Sequence, residues 1–250
     1  MIEIRHLYKS FNGRSVLEDI NLTIPTGESL VILGRSGCGK SVLLKHIIGL
    51  MRPDSGSVFI EGADITKISG REINEIRKKF GMLFQGAALF DSLTVFENVG
   101  FQMIEHTDKP YDEIKTRVAE CLAMVGLKGV EKYKPAELSG GMRKRVGLAR
   151  AISMSPEIMM FDEPTTGVDP IMGDIINDFI RSLHEKLKVT SITVTHDMKS
   201  AFKIADRICL FYNKKLWPIG TPEEVQNSDN PAVKQFVTGN AHGPLTEAGE

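Results

Sequence analysis

The eight residues Gly34-Arg35-Ser36-Gly37-Cys38-Gly39-Lys40-Ser41 have the form G-x-x-x-x-G-K-S and stand between an apolar run, Leu30–Leu33, and a helical pattern that opens at Val42. A strand that feeds such a loop and a helix that leaves it fix the local fold. The glycines let backbone N–H groups curl around phosphate oxygens. Lys40 reaches the β- and γ-phosphates, the Ser41 hydroxyl is placed to ligate Mg²⁺, and the positive end of the next helix faces the anion. Residues 34–42 therefore form a nucleoside-triphosphate cradle.

The chain has 250 residues, 42% of them hydrophobic, enough for one large core or a core with an inserted subdomain, and too apolar for general disorder. Lys and Arg number 31 against 32 Asp and Glu, so no net basic excess holds nucleic acid or anionic lipid, and direct nucleic-acid binding is not expected. Cys38, Cys121 and Cys209 are odd in number and lack zinc-ligand spacing, which fits a reducing compartment. The N-terminus lacks a long apolar segment, and no later stretch approaches the ~20 apolar residues of a spanning helix. The expectation is a cytoplasmic subunit.

Strand patterns occur at Ile2–Leu7, Asn21–Ile24, Ser57–Ile60, Phe80–Phe84, Ile158–Phe161 and Ser191–Thr195, and Arg207–Tyr212 with Leu216–Ile219 reads as a hairpin. Helical patterns follow the loop as far as Leu50, then cover Arg71–Lys79 and Ile175–Leu187. Between Ala87 and Ile152 the strand signal vanishes, while Ile114, Val118, Cys121, Leu122 and Val125 fall at helical spacing. The predicted fold is α/β, a mainly parallel sheet with an antiparallel β flank. Residues 1–86 and 153–220 form its core, 87–152 an inserted helical subdomain and 221–250 a tail. In that tail Thr221-Pro222-Glu223-Glu224 and Asn230-Pro231 start short helices, and the last ten residues show no periodicity.

Two further constellations carry chemistry. Ile158-Met159-Met160-Phe161 delivers Asp162 and Glu163 to a strand end, the edge where open α/β sheets bind ligands. Asp162 suits Mg²⁺ and Glu163 suits a general base for water. His196 follows the Ser191–Thr195 strand and is a candidate γ-phosphate contact. Leu138-Ser139-Gly140-Gly141-Met142 opens a helix with a hydroxyl and small residues but no lysine, a second anion-seeking helix start in a chain that already has one.

In this order and at these separations, the loop, Gln85, Leu138–Met142, Asp162-Glu163, Thr166-Gly167-Val168-Asp169 and His196 resemble the nucleotide-binding subunit of ATP-binding cassette (ABC) transporters over residues 1 to about 220. The resemblance implies a RecA-like P-loop NTPase fold and a homodimer in which ATP lies between one subunit's loop and the other's Ser139-Gly140-Gly141. It implies that Phe11 stacks on adenine, with Tyr8 read as an ordinary strand-end side chain. Lys40 and Ser41 would contact phosphate and Mg²⁺, and Gln85 would link Mg²⁺ and water to a membrane partner. Glu163 would be the base, His196 the γ-phosphate contact and Asp169 an interface residue. Met142 stands where many relatives carry Gln, and Thr166-Gly167-Val168 replaces Ser-Ala-Leu.

Gly86–Val99, Ser139–Arg145, Asp162–Pro170 and the tail Gln235–Gly239 are similar to the ATPases of the Mce/Mla phospholipid transport systems. That likeness implies a lipid cargo and a peripheral place on the cytoplasmic membrane face. The implied partners are an integral-membrane permease, an Mce-type lipid-binding protein and a small regulatory subunit. Leu89, Phe90, Leu93, Phe96 and Phe101 are candidates for the permease cleft, with at least half expected to be plain subdomain core. Arg143, Lys144 and Arg145 point to different sides of a helix and read as solvated or paired within the subunit. An amino-acid or metal importer ATPase keeps the fold with other cargo. A non-transport ABC ATPase acting on ribosomes or DNA would carry two cassettes or a long coiled-coil insertion, and neither is visible.

Overall fold

Ser29–Leu33 has no polar face to give to water, and in the computed structural model, which describes residues 1–247, it forms strand β3 with all five residues buried. The chain divides into two units, Met1–Ser69 together with the chain from Ile192 onward, and Gly70–Ser191.

In the first unit β3 lies between β8 (Thr190–Thr195), which brings the chain back from the second unit, and β9 (Arg207–Tyr212), with β10 (Lys215–Gly220) outside β9. β3 and β9 run parallel, while β9 and β10 form the expected antiparallel hairpin. It turns through Asn213 and Lys214, both at positive φ, as tight hairpin turns require. A second sheet is antiparallel in the order β2-β1-β4-β5, from β1 (Ile2–Phe11), β2 (Arg14–Ile24), β4 (Ser55–Ile60) and β5 (Ala63–Asp64). Along β1, Ile2 and Ile4 are buried until a register shift near His6, whose φ is 48°, hands the inward side to Leu7.

Helix α1 (Lys40–Ile47) buries Leu43, Leu44 and Ile47. It stops short of the expected Leu50, because Gly49 turns left-handed at φ 70° and leaves Leu50 exposed. Helix α7 (Met198–Ile204) has no counterpart in the sequence reading. Asp197 starts it by accepting hydrogen bonds from the Lys199 and Ser200 N–H groups.

The second unit pairs β6 (Phe80–Leu83) parallel with β7 (Ile158–Asp162). Its helices are α2 (Arg71–Arg77), α3 (Val95–His106), α4 (Tyr111–Met124), α5 (Gly140–Ile152) and α6 (Pro170–Leu187). Helices α3, α4 and α5 pack on one another through Val95, Val99 and Met103, Ile114, Val118 and Leu122, and Val146, Ala149 and Ile152. Thr94 and Glu97 close a capping box at the start of α3. Helix α6 begins five residues earlier than the periodicity indicated, since Asp169 accepts from the Ile171 and Met172 N–H groups and Pro170 occupies the first turn.

In the tail, α8 (Pro222–Gln226) and α9 (Pro231–Thr238) start at the predicted caps, Thr221 and Asn230. The stretch after Ala241, expected to lack structure, contains α10 (Pro244–Glu247) with Leu245 buried. Residues 248–250 of that expectation lie outside the described residues. The organiser is a buried glutamine, which leaves no hydrophobic period to read. Gln235 Nε2 donates to the Asn240 carbonyl and to Thr246 Oγ1, both at 3.1 Å, while its Oε1 accepts from the Leu245 N–H at 2.7 Å. The Tyr212 hydroxyl donates to the Pro244 carbonyl at 2.8 Å, so these contacts of the tail run to its own chain. We expect Gln235→Ala to cost about 1–3 kcal/mol of local stability through the unsatisfied groups it leaves. Hydrogen exchange should show it as lost amide protection at Leu245, with β3 and β7 unchanged.

Candidate nucleotide site

The residues of interest fall in both units, and each unit builds its share from the end of a buried strand. In the first, β3 runs into Gly34, whose N–H donates to the Thr195 carbonyl at the end of β8 at 3.3 Å. That bond sets the start of the phosphate loop beside the strand that leads to His196, which is exposed. Gly39 precedes α1 at φ 118°, and a Cβ there would stand 2.9 Å from Val16 Cγ1, so both backbone and space demand glycine. Lys40 is only 4% exposed, and its Nζ donates to the carbonyls of Gly34 (2.7 Å) and Arg35 (2.9 Å). The loop is thus closed around its own positive charge.

Ser36 and Gly37 are exposed, while Cys38, Ser41 and Val42 are half-buried. Arg35 points elsewhere: its Nη1 donates to the Leu245 carbonyl of the tail at 3.5 Å. Phe11 ends β1 with Lys9 Nζ 5.5 Å from its ring centroid, and Lys9 is itself paired with Asp54 at 2.6 Å. Tyr8 and Phe11 are equally exposed, at 40%.

In the second unit β7 is buried through Asp162, and Glu163 follows at φ 48°, a left-handed conformation that costs a non-glycine residue about 1–3 kcal/mol. Both carboxylate residues are buried. Thr166 holds the turn: its N–H donates to the Glu163 carbonyl and its hydroxyl to Glu163 Oε2, each at 3.2 Å. Gln85 is exposed just past the end of β6. Lys144 is buried, and its Nζ donates to the carbonyls of Gln85 and of Glu163, the latter at 3.2 Å. Burial pushes its ammonium below the usual lysine range, opposed by the Asp162 and Glu163 carboxylates. Arg150 donates to the carbonyls of Ala87 and Ala88, both at 2.7 Å, where φ is 62° and 47°.

Ser139 starts α5, its Oγ accepting from the Met142 N–H at 3.3 Å. A Cβ on Gly141 would stand 2.7 Å from Met172 Cγ, so glycine there lets α6 approach α5. A Cβ on Gly140 would meet nothing closer than the Gly167 carbonyl at 3.8 Å, and packing in this unit does not demand that glycine. The Asp169 carboxylate caps α6.

Arg143, Lys144 and Arg145 are all bonded within the unit: Arg143 reaches the Leu138 carbonyl at 2.6 Å and Arg145 the Gly126 carbonyl at 3.3 Å, beside the Lys144 bonds. The five apolar candidates differ from the expectation that half are core. Phe90 is exposed, and Leu89, Leu93, Phe96 and Phe101 are half-buried, because Val95, Val99 and Met103 take the inward face of α3.

The sequence pattern gives no individual role to Thr166, Arg150 or Asn98, whose amide ties Phe90, Leu93 and Thr94 together, and it allows Lys144 pairing within the subunit without naming the partners. One signal was present: Lys144 precedes the buried Gly147, Leu148 and Ala151 at helical spacing and so sits on the inward stripe of α5. Ser41, Gln85 and Asp162 offer hydroxyl, amide and carboxylate oxygens, the hard donors Mg²⁺ takes. No three His, Cys, Asp or Glu side chains cluster as a metal cage among the described residues.

Comparison with known proteins bears on the whole chain. Residues 17–166 match the family model described as ABC transporter. A probable ribonucleotide transport ATP-binding protein, mkl, of Mycobacterium tuberculosis is 45% identical over 98% of this chain and 68% of its own length. The intermembrane phospholipid transport system ATP-binding protein MlaF of Haemophilus influenzae is 41% identical over 98% of this chain and 93% of its own. Among solved structures, the dimeric post-hydrolysis ATP-binding cassette MJ0796 bound to ADP and Pi superposes with a TM-score of 0.81 at 32% identity, covering 86% of this chain and 96% of that one. The expected α/β P-loop fold is thereby established. With the family model spanning more than half its length and relatives above 40% identity aligned over 98% of it, the chain belongs to the ABC transporter ATPases.

Proposed function

We propose that this ATPase drives a phospholipid or other lipid through a separate membrane permease. The observation that carries the cargo is the near end-to-end likeness to MlaF, tail included, against mkl, a third of which lies outside the match. The mkl identity favours a second reading, ribonucleotide cargo on the same cassette.

In the proposed mechanism Lys40 and the loop N–H groups neutralise the β- and γ-phosphates, Phe11 stacks on adenine and His196 contacts the γ-phosphate. Ser41, Gln85 and Asp162 would hold Mg²⁺, which would supply charge neutralisation on the phosphate oxygens. Glu163, braced by Thr166, orients the attacking water and takes its proton. Ser139, Gly140 and Gly141 serve the site of a second copy and Asp169 lies in that interface, so hydrolysis waits on assembly. The freedom around Gly140 supports this role for the start of α5.

Residues 87–152 act as the helical subdomain on a core of 1–86 and 153–220. Exposed Phe90, with Phe101 at 4.8 Å between ring centroids, and Ile104 one turn further along α3 form the permease contact. An Mce-type lipid-binding protein and a small regulatory subunit complete the complex. The likeness to MlaF supports a peripheral place on the cytoplasmic membrane face, and among the described residues no helix is long and apolar enough to cross a membrane.

Purification of the tagged chain from native membranes tests the cargo. An integral-membrane permease with bound phospholipid is expected, and a ribosomal or DNA-bound complex, or a permease carrying nucleotides and no lipid, would overturn it. Glu163→Gln should keep ATP binding, slow turnover by about 10²–10⁴-fold and accumulate a compact ATP-bound dimer in small-angle scattering. Wild-type hydrolysis in that variant would remove Glu163 from the role of base.

A further inference from the structure

Burying a lysine costs desolvation and freezes a long side chain, and a methionine would fill the same inward position of α5 without either cost. Lys144 is nevertheless 6% exposed, and its Nζ donates to two main-chain carbonyls. Its partners are the carbonyls at the ends of two adjacent parallel strands, Gln85 after β6 and Glu163 after β7. The Glu163 carbonyl also accepts from the Thr166 N–H, so both of its acceptor sites are used and its left-handed backbone is held from two sides. Two turns further along the same helix, Arg150 fixes Ala87 and Ala88, also left-handed. Helix α5 therefore grips the chain from 85 to 88 and the turn at 163 at one time.

We propose that Lys144 is a positioning residue for hydrolysis, joining the backbone of Gln85 to that of Glu163 so that the helix begun by Ser139 sets both side chains in one register. The proposal rests on the reading of Glu163 as the base. Lys144 touches no substrate atom. It acts by holding two groups whose misplacement by about 1 Å costs on the order of 10²-fold in rate.

The test compares steady-state kcat and KM for ATP in the full chain and in its Lys144→Met, Lys144→Gln and Glu163→Gln variants, with thermal unfolding and fluorescent-nucleotide binding recorded on each. Lys144→Met is expected to lower kcat roughly 10- to 100-fold with KM within about threefold of wild type. Lys144→Gln returns an N–H donor on a shorter side chain that cannot span both carbonyls, and should recover part of the loss while leaving kcat below wild type. A residue that only supports the fold would lower the unfolding temperature and ATP affinity and leave kcat per folded molecule alone, and Gln would bring no recovery. That pattern, or a wild-type kcat in Lys144→Met, overturns the proposal. If Lys144→Met does not fold, Lys144→Gln carries the test: a lowered kcat at unchanged KM is expected, and a wild-type kcat overturns. Wild-type turnover in Glu163→Gln would sink the base assignment instead. An inactive Glu163→Gln beside a fully active Lys144→Met would sink the Lys144 role alone.

Discussion

A strand buried along its whole length offers no face from which a side chain can meet a soluble ligand, so ligand-binding groups must wait for its end, and the candidate chemistry of this protein follows from that constraint. β3 is buried from Ser29 to Leu33 and releases the chain into Gly34–Ser41, while β7 is buried from Ile158 to Asp162 and releases it into Glu163. Leaving a strand this sharply takes unusual backbone, which appears as Gly39 at φ 118° and Glu163 at φ 48°. Glycine makes the first inexpensive. The second is sustained by Thr166 and Lys144, which bond the same carbonyl.

The same logic orders the second unit. Helix α5 presents Ser139 at its start and sends two cations, Lys144 and Arg150, to the main chain that follows β6. A helix tied in this way to the segment after Gln85 cannot move without moving it. We therefore regard α5 as the mechanical link between a second copy of the chain at Ser139 and a permease near Phe90, a role that follows from the proposed function and from these bonds together.

Much of this was legible because it is local. The phosphate loop, the paired acids after an apolar run and the caps at Thr221 and Asn230 are contiguous residue patterns, and each strand or helix they imply is present. What escaped depends on partners distant in sequence. Lys144 and Gln85 are separated by 59 positions, and only the inward stripe of α5 hinted at the bond. Helix α7 was hidden by its brevity, and α10 by its dependence on Gln235, a polar organiser that leaves no period. Periodicity starts α6 too late because it is blind to the cap that Asp169 supplies and to Pro170 in the first turn.

If each ATP site is completed by the other copy, two chains with lesions in different halves of the site restore one complete site when mixed. Lys40→Ala removes the cation from the phosphate loop and Ser139→Arg blocks the start of α5. A heterodimer of the two therefore has one site with both lesions and one with neither. Native mass spectrometry with a non-hydrolysable ATP analogue should show a nucleotide-dependent heterodimer carrying a single nucleotide, while neither variant dimerises alone. Absence of any nucleotide-dependent dimer in the mixture, with the wild-type chain dimerising under the same conditions, would contradict the account.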